Sequence, residues 1–408
     1  MNKFLNEFID RGFFYQCTNK EELSNILDKK KINAYIGFDS TAPSLHVGSL
    51  LQIMCLRLLQ RHGHRPIVLL GGGTTRIGDP SGKEKTRKIL SEDEIEKNIK
   101  NIKKVFNIFL KTDNPSLKPI YVNNFEWLGK LNYINFLREV GKHFTINKML
   151  SFDSVKLRLE REQSLSYMEF NYMILQAYDF LELNKKKNCL LQIGGSDQWG
   201  NIVNGVELIK RHNGKHVFGL TTPLITLASG AKMGKTEEGA VWLDPKLLSA
   251  YDYWQFWRNT DDNDVIRFIK MYTDKSINEI ENIKNRDINK LKIILANEAT
   301  AMLHGKTAAL NAEKTAKETF IDGIVGKDLP VINLKKKQGK KINILELVLA
   351  SKLLTSKGEI RRAIKNNGIK INDTTILDDK LIVDFNQYDK NSCKLSFGKK
   401  KHIVVKLI

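Results

Sequence analysis

Tyr172, Gln176 and Asp179 fall at i, i+4 and i+7 in the otherwise apolar stretch Phe170-Asn-Tyr-Met-Ile-Leu-Gln-Ala-Tyr-Asp-Phe180. A helix there sets a phenol, an amide and a carboxylate on one face. Buried polar groups need partners, and these have two candidates: a helix–sheet hydrogen bond, or a small polar ligand. Upstream, Tyr35-Ile-Gly-Phe-Asp-Ser-Thr-Ala-Pro-Ser-Leu-His-Val-Gly-Ser49 alternates as far as Phe38, carries turn and capping residues over 39–44, and shifts to helical apolar spacing from Leu45 to Arg61. That pattern predicts a short strand, a turn and a helix beginning near His46. A helix start attracts phosphate through its free N–H groups and positive dipole end, and Gly37 and Gly48 let a ligand approach the backbone. Plain packing uses the same arrangement. Far downstream, Lys232-Met-Gly-Lys-Thr236 places two cations in a glycine-containing loop, a composition suited to closing over phosphate. Together the segments point to a nucleotide activation site.

The elements that hold these residues follow from the glycine-rich strand ends. Ile67-Val-Leu-Leu70 reads as a buried strand emptying into Gly71-Gly-Gly-Thr-Thr-Arg-Ile-Gly-Asp-Pro-Ser-Gly82, and Cys189-Leu-Leu-Gln-Ile193 empties into Gly194-Gly-Ser-Asp-Gln-Trp-Gly-Asn201. In open α/β sheets ligands sit beyond the carboxyl ends of strands. Three such ends in one chain predict an α/β fold, a Rossmann-like doubly wound parallel sheet with a ligand crevice. No G-x-x-x-x-G-K-[ST] sequence is present, which disfavours a P-loop nucleotidase. Asp197 in the third loop has two readings, ligand contact or helix cap.

A chain of 408 residues with 41% hydrophobic composition is long enough for two or three domains, each with its own core. Cys17, Cys55, Cys189 and Cys393 are scattered, with neither disulfide nor zinc spacing. Reduced thiols and a cytoplasmic location are expected, with no protein-bound zinc. The first ten residues lack the apolar core of a signal peptide. No apolar run approaches the roughly 18 residues of a membrane helix. The formal net charge of +20 favours a polyanionic partner, although lysine-rich composition alone also produces solvated surface. The charge is uneven: Val331–Ile408 carries 18 Lys and Arg against 7 Asp and Glu.

With these segments in hand, the chain resembles the bacterial-type tyrosyl-tRNA synthetases, class I aminoacyl-tRNA synthetases. Tyr35–Asp39, Gly78-Asp-Pro-Ser-Gly82, 170–180, 192–201 and the Lys232–Thr236 loop occur in the family's order. The family's first signature, His-x-Gly-His, stands here as His46-Val47-Gly48-Ser49. Ser49 offers a hydroxyl and no imidazole, which leaves the role of the second histidine open. The general Lys-Met-Ser-Lys-Ser pattern is replaced by a form with Gly234 and Thr236 that is similar to tyrosine-specific members.

The resemblance implies a tyrosine–tRNA ligase that uses ATP with Mg²⁺, forms tyrosyl-adenylate and charges tRNA(Tyr), most members being homodimeric. It implies that Asp179 and Tyr35 meet the phenolic hydroxyl of tyrosine. Tyr172, Gln176 and Asp79 would meet its ammonium, with Gln192 and Gln198 completing the amino-acid contacts. Gly37, Asp39, Gly48, Ser49, Gly194, Asp197 and Lys235 would line the ATP site. Thr41, His46, Lys83, Arg87, Lys232, Lys235 and Thr236 would meet charge on the departing pyrophosphate.

Along the chain it implies a catalytic domain over 1–230 with a helical insertion at about 84–190. The signature loop and a helical anticodon-side domain follow over 231–325, then a linker at 326–341 and an S4-like RNA-binding domain at 342–408. There, Lys357, Arg361, Arg362 and Lys365 cluster on a basic helix suited to phosphate. In the insertion, Phe136, Leu137, Val140, Phe144, Ile146 and Met149 serve either a dimer surface or the core. A tryptophan-specific relative and a non-catalytic, synthetase-derived RNA-binding protein are the alternatives.

Overall fold

The computed structural model describes residues 1–79, 90–228, 230, 233–236, 239–321, 329, 331–334, 340–388, 391–398 and 401–408. Among these, residue contacts group the chain into two compact units. The first comprises Met1–Leu247 with Thr260–Leu291, and the second Leu248–Asn259 with Lys292–Ile408.

The first unit is built on six strands: β1 Gln16–Cys17, β2 Asn33–Asp39, β3 Arg65–Gly71, β4 Ile120–Asn123, β5 Cys189–Gly195 and β6 Phe218–Thr222. Their order is β1-β6-β5-β2-β3-β4. All neighbours are parallel except β1 against β6. Strands covered by helices on both faces read as continuous apolar runs, and β3 and β5 do so: Ile67–Leu70 is buried throughout. The chain leaves β2 in one direction for β3 and β4, then returns to β5 on the other side of β2. That reversal opens a crevice at the carboxyl ends of β2 and β5.

The helices start and stop where side chains satisfy their end groups. The expected start near His46 is a 3₁₀ turn, Val47–Ser49, running into the helix Leu50–Arg61, nine of whose twelve residues are buried. The polar-faced helix is longer than its core motif, Tyr167–Lys187. Ser166 and Glu169 form a capping box at its start, and Asn188 ends it at φ 47°. The region expected to be a helical interruption of the sheet also supplies β4 at the sheet edge. Of its apolar residues, Val140 and Met149 lie in the core around Phe180 and Leu181, whereas Leu137 and Ile146 are exposed. A short hairpin, β7 Lys235–Thr236 and β8 Gly239–Ala240, lies within the signature loop.

In the second unit, Ala250–Arg258 packs with Lys306–Ile321. Trp254 Nε1 donates to Asn297 Oδ1 at 2.7 Å. The C-terminal module follows, with β9 Val331–Leu334, β10 Lys341–Asn343, β11 Ile369–Ile371, β12 Thr374–Thr375, β13 Ile382–Asp384, β14 Ser392–Phe397 and β15 Lys401–Leu407. Five strands form a sheet in the order β12-β11-β14-β15-β9, and β10 pairs with β13. The helices Ile344–Ala350 and Lys357–Lys365 share its apolar core. The expected linker therefore contains a strand. Val331-Ile-Asn-Leu334 alternates and pairs in parallel with β15, an apolar pattern outweighed in the sequence by the lysines that follow it. No described helix is long and apolar enough to cross a membrane.

Candidate active site

The crevice at the switch point is a cavity of about 390 Å³. Tyr35, Gly37 and Asp39 reach it from β2, Thr41, Gly48 and Ser49 from the following turn, and Asp79 from beyond β3. Tyr172, Gln176 and Asp179 line it from the Tyr167–Lys187 helix, and Gln192, Gly194, Asp197 and Gln198 from β5 and its loop. Four sequence-distant segments thus converge, as their placement at strand carboxyl ends requires.

At the floor, Tyr35 is fully buried against Phe180, with ring centroids 5.3 Å apart, and its hydroxyl has no hydrogen-bond partner. Asp179 is 1% exposed. Its Oδ1 accepts from Trp127 Nε1 at 2.7 Å and its Oδ2 from Asn124 Nδ2 at 2.9 Å. Burial pushes the Asp179 carboxyl up to about 7, with Asp39 and Glu182 adding to the rise and the Asn124 and Trp127 donors opposing it. Burial likewise drives the phenols of Tyr35 and Tyr172 well above their ordinary range, Asp179 reinforcing the first and Asp39 the second.

Nearer the mouth, Asp39 accepts from Tyr172 Oη at 3.0 Å and from Thr74 Oγ1 at 2.8 Å. Gln198 Nε2 donates to Asp79 Oδ2 at 2.9 Å, and Asn201 Nδ2 bridges Gln176 and Gln198, at 3.1 Å to each. At the neighbouring helix starts the cap positions are Gly195 and Gln198, and neither makes a side-chain cap bond. The described lining holds four aspartates, a phenol wall and amides, and neither Lys nor Arg. Chemically, such a surface is suited to an ammonium near Asp79 and Asp39 and to a hydroxyl near Tyr35 and Asp179.

His46 stands outside the lining. Its Nδ1 accepts from Gly48 N–H at 3.0 Å, and its ring meets Trp242 edge-on at 6.4 Å. Gly48 and Gly234 are glycine by necessity. A Cβ at Gly48 would lie 2.6 Å from the His46 ring, and one at Gly234, where φ is +113°, would lie 2.6 Å from His46 Nδ1. The two signature segments interlock through these missing side chains. Lys235 and Thr236 form β7. Lys83, Arg87 and Lys232 lie outside the described residues. Among those described, no group of three His, Cys, Asp or Glu residues is placed to hold a metal ion. In the C-terminal module, Lys357, Arg361, Arg362 and Lys365 are exposed on one helix, with Arg361 Nε donating to Asp379 Oδ2 at 3.0 Å and Lys357 4.0 Å from Glu346.

Asn124, Trp127, Thr74 and Asn201 are site residues that the sequence reading missed. Asn124 follows β4, so recognition of that short strand would have pointed to it; Trp127 has no local signal.

The family model for class I tRNA synthetases (W and Y) matches residues 27–321. The chain is 70% identical over 409 residues to a tyrosine–tRNA ligase of Pelagibacter ubique (strain HTCC1062), covering all of both chains. It is 52% identical to that of Rickettsia rickettsii (strain Sheila Smith), over 99% of this chain and all of the other. Among solved structures, a C-terminally truncated mitochondrial tyrosyl-tRNA synthetase of Aspergillus nidulans superposes with a TM-score of 0.70 at 30% identity, covering 78% of this chain and 94% of that one. The phenol-lined crevice, the interlocked signature segments and this likeness over the full length lead to one assignment: the chain belongs to the class I tRNA synthetases of the tryptophan and tyrosine type, among the tyrosine–tRNA ligases.

Proposed function

We propose that the chain activates tyrosine with ATP and then transfers it to the 3′ end of tRNA(Tyr). The observation that carries the reading is the cavity floor, where a buried tyrosine hydroxyl without a partner stands beside a carboxylate already oriented by two donors. A phenol entering there donates to Asp179 and pairs with Tyr35. Phenylalanine leaves both groups buried and unsatisfied, a larger loss than a missing apolar contact. Tryptophan does not present a hydroxyl at that point.

With the ring seated, the ammonium lies among Asp79, Tyr172 and Gln176, and Gln192, Asp197 and Gln198 close the β5 side. The carboxylate is already ionised, so no general base is needed. One carboxylate oxygen attacks the α-phosphorus of ATP, which enters as its magnesium complex, and the bond to pyrophosphate breaks. Positioning and charge stabilisation supply the acceleration. The helix start at Val47–Leu50, with His46 and Thr41, is suited to the leaving pyrophosphate, and Lys83, Arg87, Lys232, Lys235 and Thr236 are the residues whose chemistry would meet its charge. A terminal hydroxyl of the tRNA then attacks the tyrosyl carbonyl and releases AMP.

The basic helix Lys357–Lys365 engages tRNA phosphates. Exposed apolar side chains such as Ile134, Ile146 and Leu157 support a second copy of this chain as partner. The cytoplasm is the compartment where these substrates meet. The deciding experiment is ATP–pyrophosphate exchange without tRNA, run with tyrosine, phenylalanine and tryptophan. Exchange with tyrosine alone is expected; exchange as fast with tryptophan, or none with any of them, sinks the reading.

A further inference from the structure

The stretch leading from β6 back to the His46 turn is held at three points. At its beginning, Ala228 N–H donates to Asp264 Oδ2 at 2.7 Å and Arg267 Nη2 donates to the Thr226 carbonyl at 2.6 Å, Asp264 and Arg267 being paired at 2.7 Å. At its end, Val47 N–H donates to the Val241 carbonyl at 2.9 Å and Leu243 N–H to the Leu45 carbonyl at 2.8 Å. Between them Met233 is buried, and its Sδ accepts from the Tyr272 hydroxyl at 3.2 Å. Asp264, Arg267 and Tyr272 belong to one element, the helix Val265–Tyr272 with its leading residue, and that helix packs on Leu50–Arg61, the helix that follows the His46 turn. Gly234, next to Met233, has no room to shift toward His46 or Gly48. The height at which Met233 is anchored therefore sets how the loop backbone lies on the His46 turn.

We propose that Tyr272 is a positioning residue for adenylate formation, its hydroxyl holding Met233 Sδ so that the backbone at 233–236 keeps its register against His46–Ser49. The proposal rests on the reading that this loop acts on ATP. A thioether is a weak acceptor, but the bond lies between two buried side chains, where no water competes for Met233 Sδ, so the contact favours one position of the loop. Tyrosine is bound from the other side of the crevice, by residues the contact does not touch.

Two variants of the full chain test it. Tyr272→Phe removes the hydroxyl and Met233→Leu removes the acceptor at similar volume. Each should slow single-turnover adenylate formation by roughly three- to tenfold, with tyrosine affinity unchanged by fluorescence titration. The double variant should be no slower than the slower single one. An arm independent of catalysis is limited trypsin digestion, in which Tyr272→Phe should raise cleavage between residues 228 and 243 several-fold. Wild-type rate together with wild-type cleavage in Tyr272→Phe overturns the proposal, as do losses that simply add in the double variant. Absence of tyrosine-dependent exchange in the unsubstituted protein overturns the proposed function instead, and digestion still decides whether Tyr272 holds the loop.

Discussion

Asp179 concentrates the cost and the use of the site. For Asp179→Asn and Tyr35→Phe, discrimination against phenylalanine should fall by tenfold or more, since each buried hydrogen bond to a charged or desolvated group contributes on the order of 1.5–3 kcal/mol. The ratio of kcat/KM for the two amino acids measures it, and an unchanged ratio in both variants removes these residues from the phenol site. The same carboxyl makes stability depend on pH. With its folded value raised from 3.8 to about 7, the native state holds a proton that the unfolded chain has released. Stability is therefore lost as pH rises between those values. Ionisation at neutral pH costs on the order of a few kcal/mol, so Asp179→Asn should gain in Tm over the wild type progressively from pH 4 to 7 and level off above. A constant difference across that range contradicts the sign. Tyr172, Gln176 and Asp179 were legible because helical period alone puts them on one face. The donors that orient Asp179 were not, because Asn124 and Trp127 stand more than fifty residues away and meet it only through the sheet.

At the scale of elements, the Leu50–Arg61 helix fixes both the Val47–Ser49 turn at one end and a buried histidine just beyond the other. His64 Nδ1 accepts from Ile32 N–H at 3.3 Å, which serves the start of β2. Burial, then the charges of His62 and Lys31, lower its value from 6.5 to about 4. A depressed histidine gives stability that is complete above the unfolded value and is lost as pH falls from about 6.5 to 4. His64→Gln should remove on the order of 1–2 kcal/mol of that acid sensitivity, read as a shallower slope of unfolding free energy against pH. An unchanged slope would show that other groups carry it. Elements of this kind were readable where a strand emptied into glycines or a helix began at a capping residue. β4 was missed because four residues between Pro119 and Asn124 carry too little periodicity.

At the scale of the whole molecule, charge distribution was readable and strand partnership was not. A chain ending before Val331 should form adenylate within about twofold of the full chain, yet charge tRNA at least tenfold more slowly and bind it with a shallower salt dependence, because fewer phosphates are neutralised. Equal charging and an equal salt slope would exclude RNA binding by the C-terminal module. The position of the cut matters. Ending after Lys341 keeps β9 without β15 and leaves an open strand edge, so that variant should aggregate more than the shorter one, as light scattering would show. The pairing of Val331–Leu334 with Val404–Leu407 also bears on how the protein is made. Every other strand of that sheet is synthesised between these two, and the module's sheet cannot close until β15 emerges. A contact of such long sequence separation forms late, so during translation β9 waits, with its edge unpaired, through roughly seventy further residues.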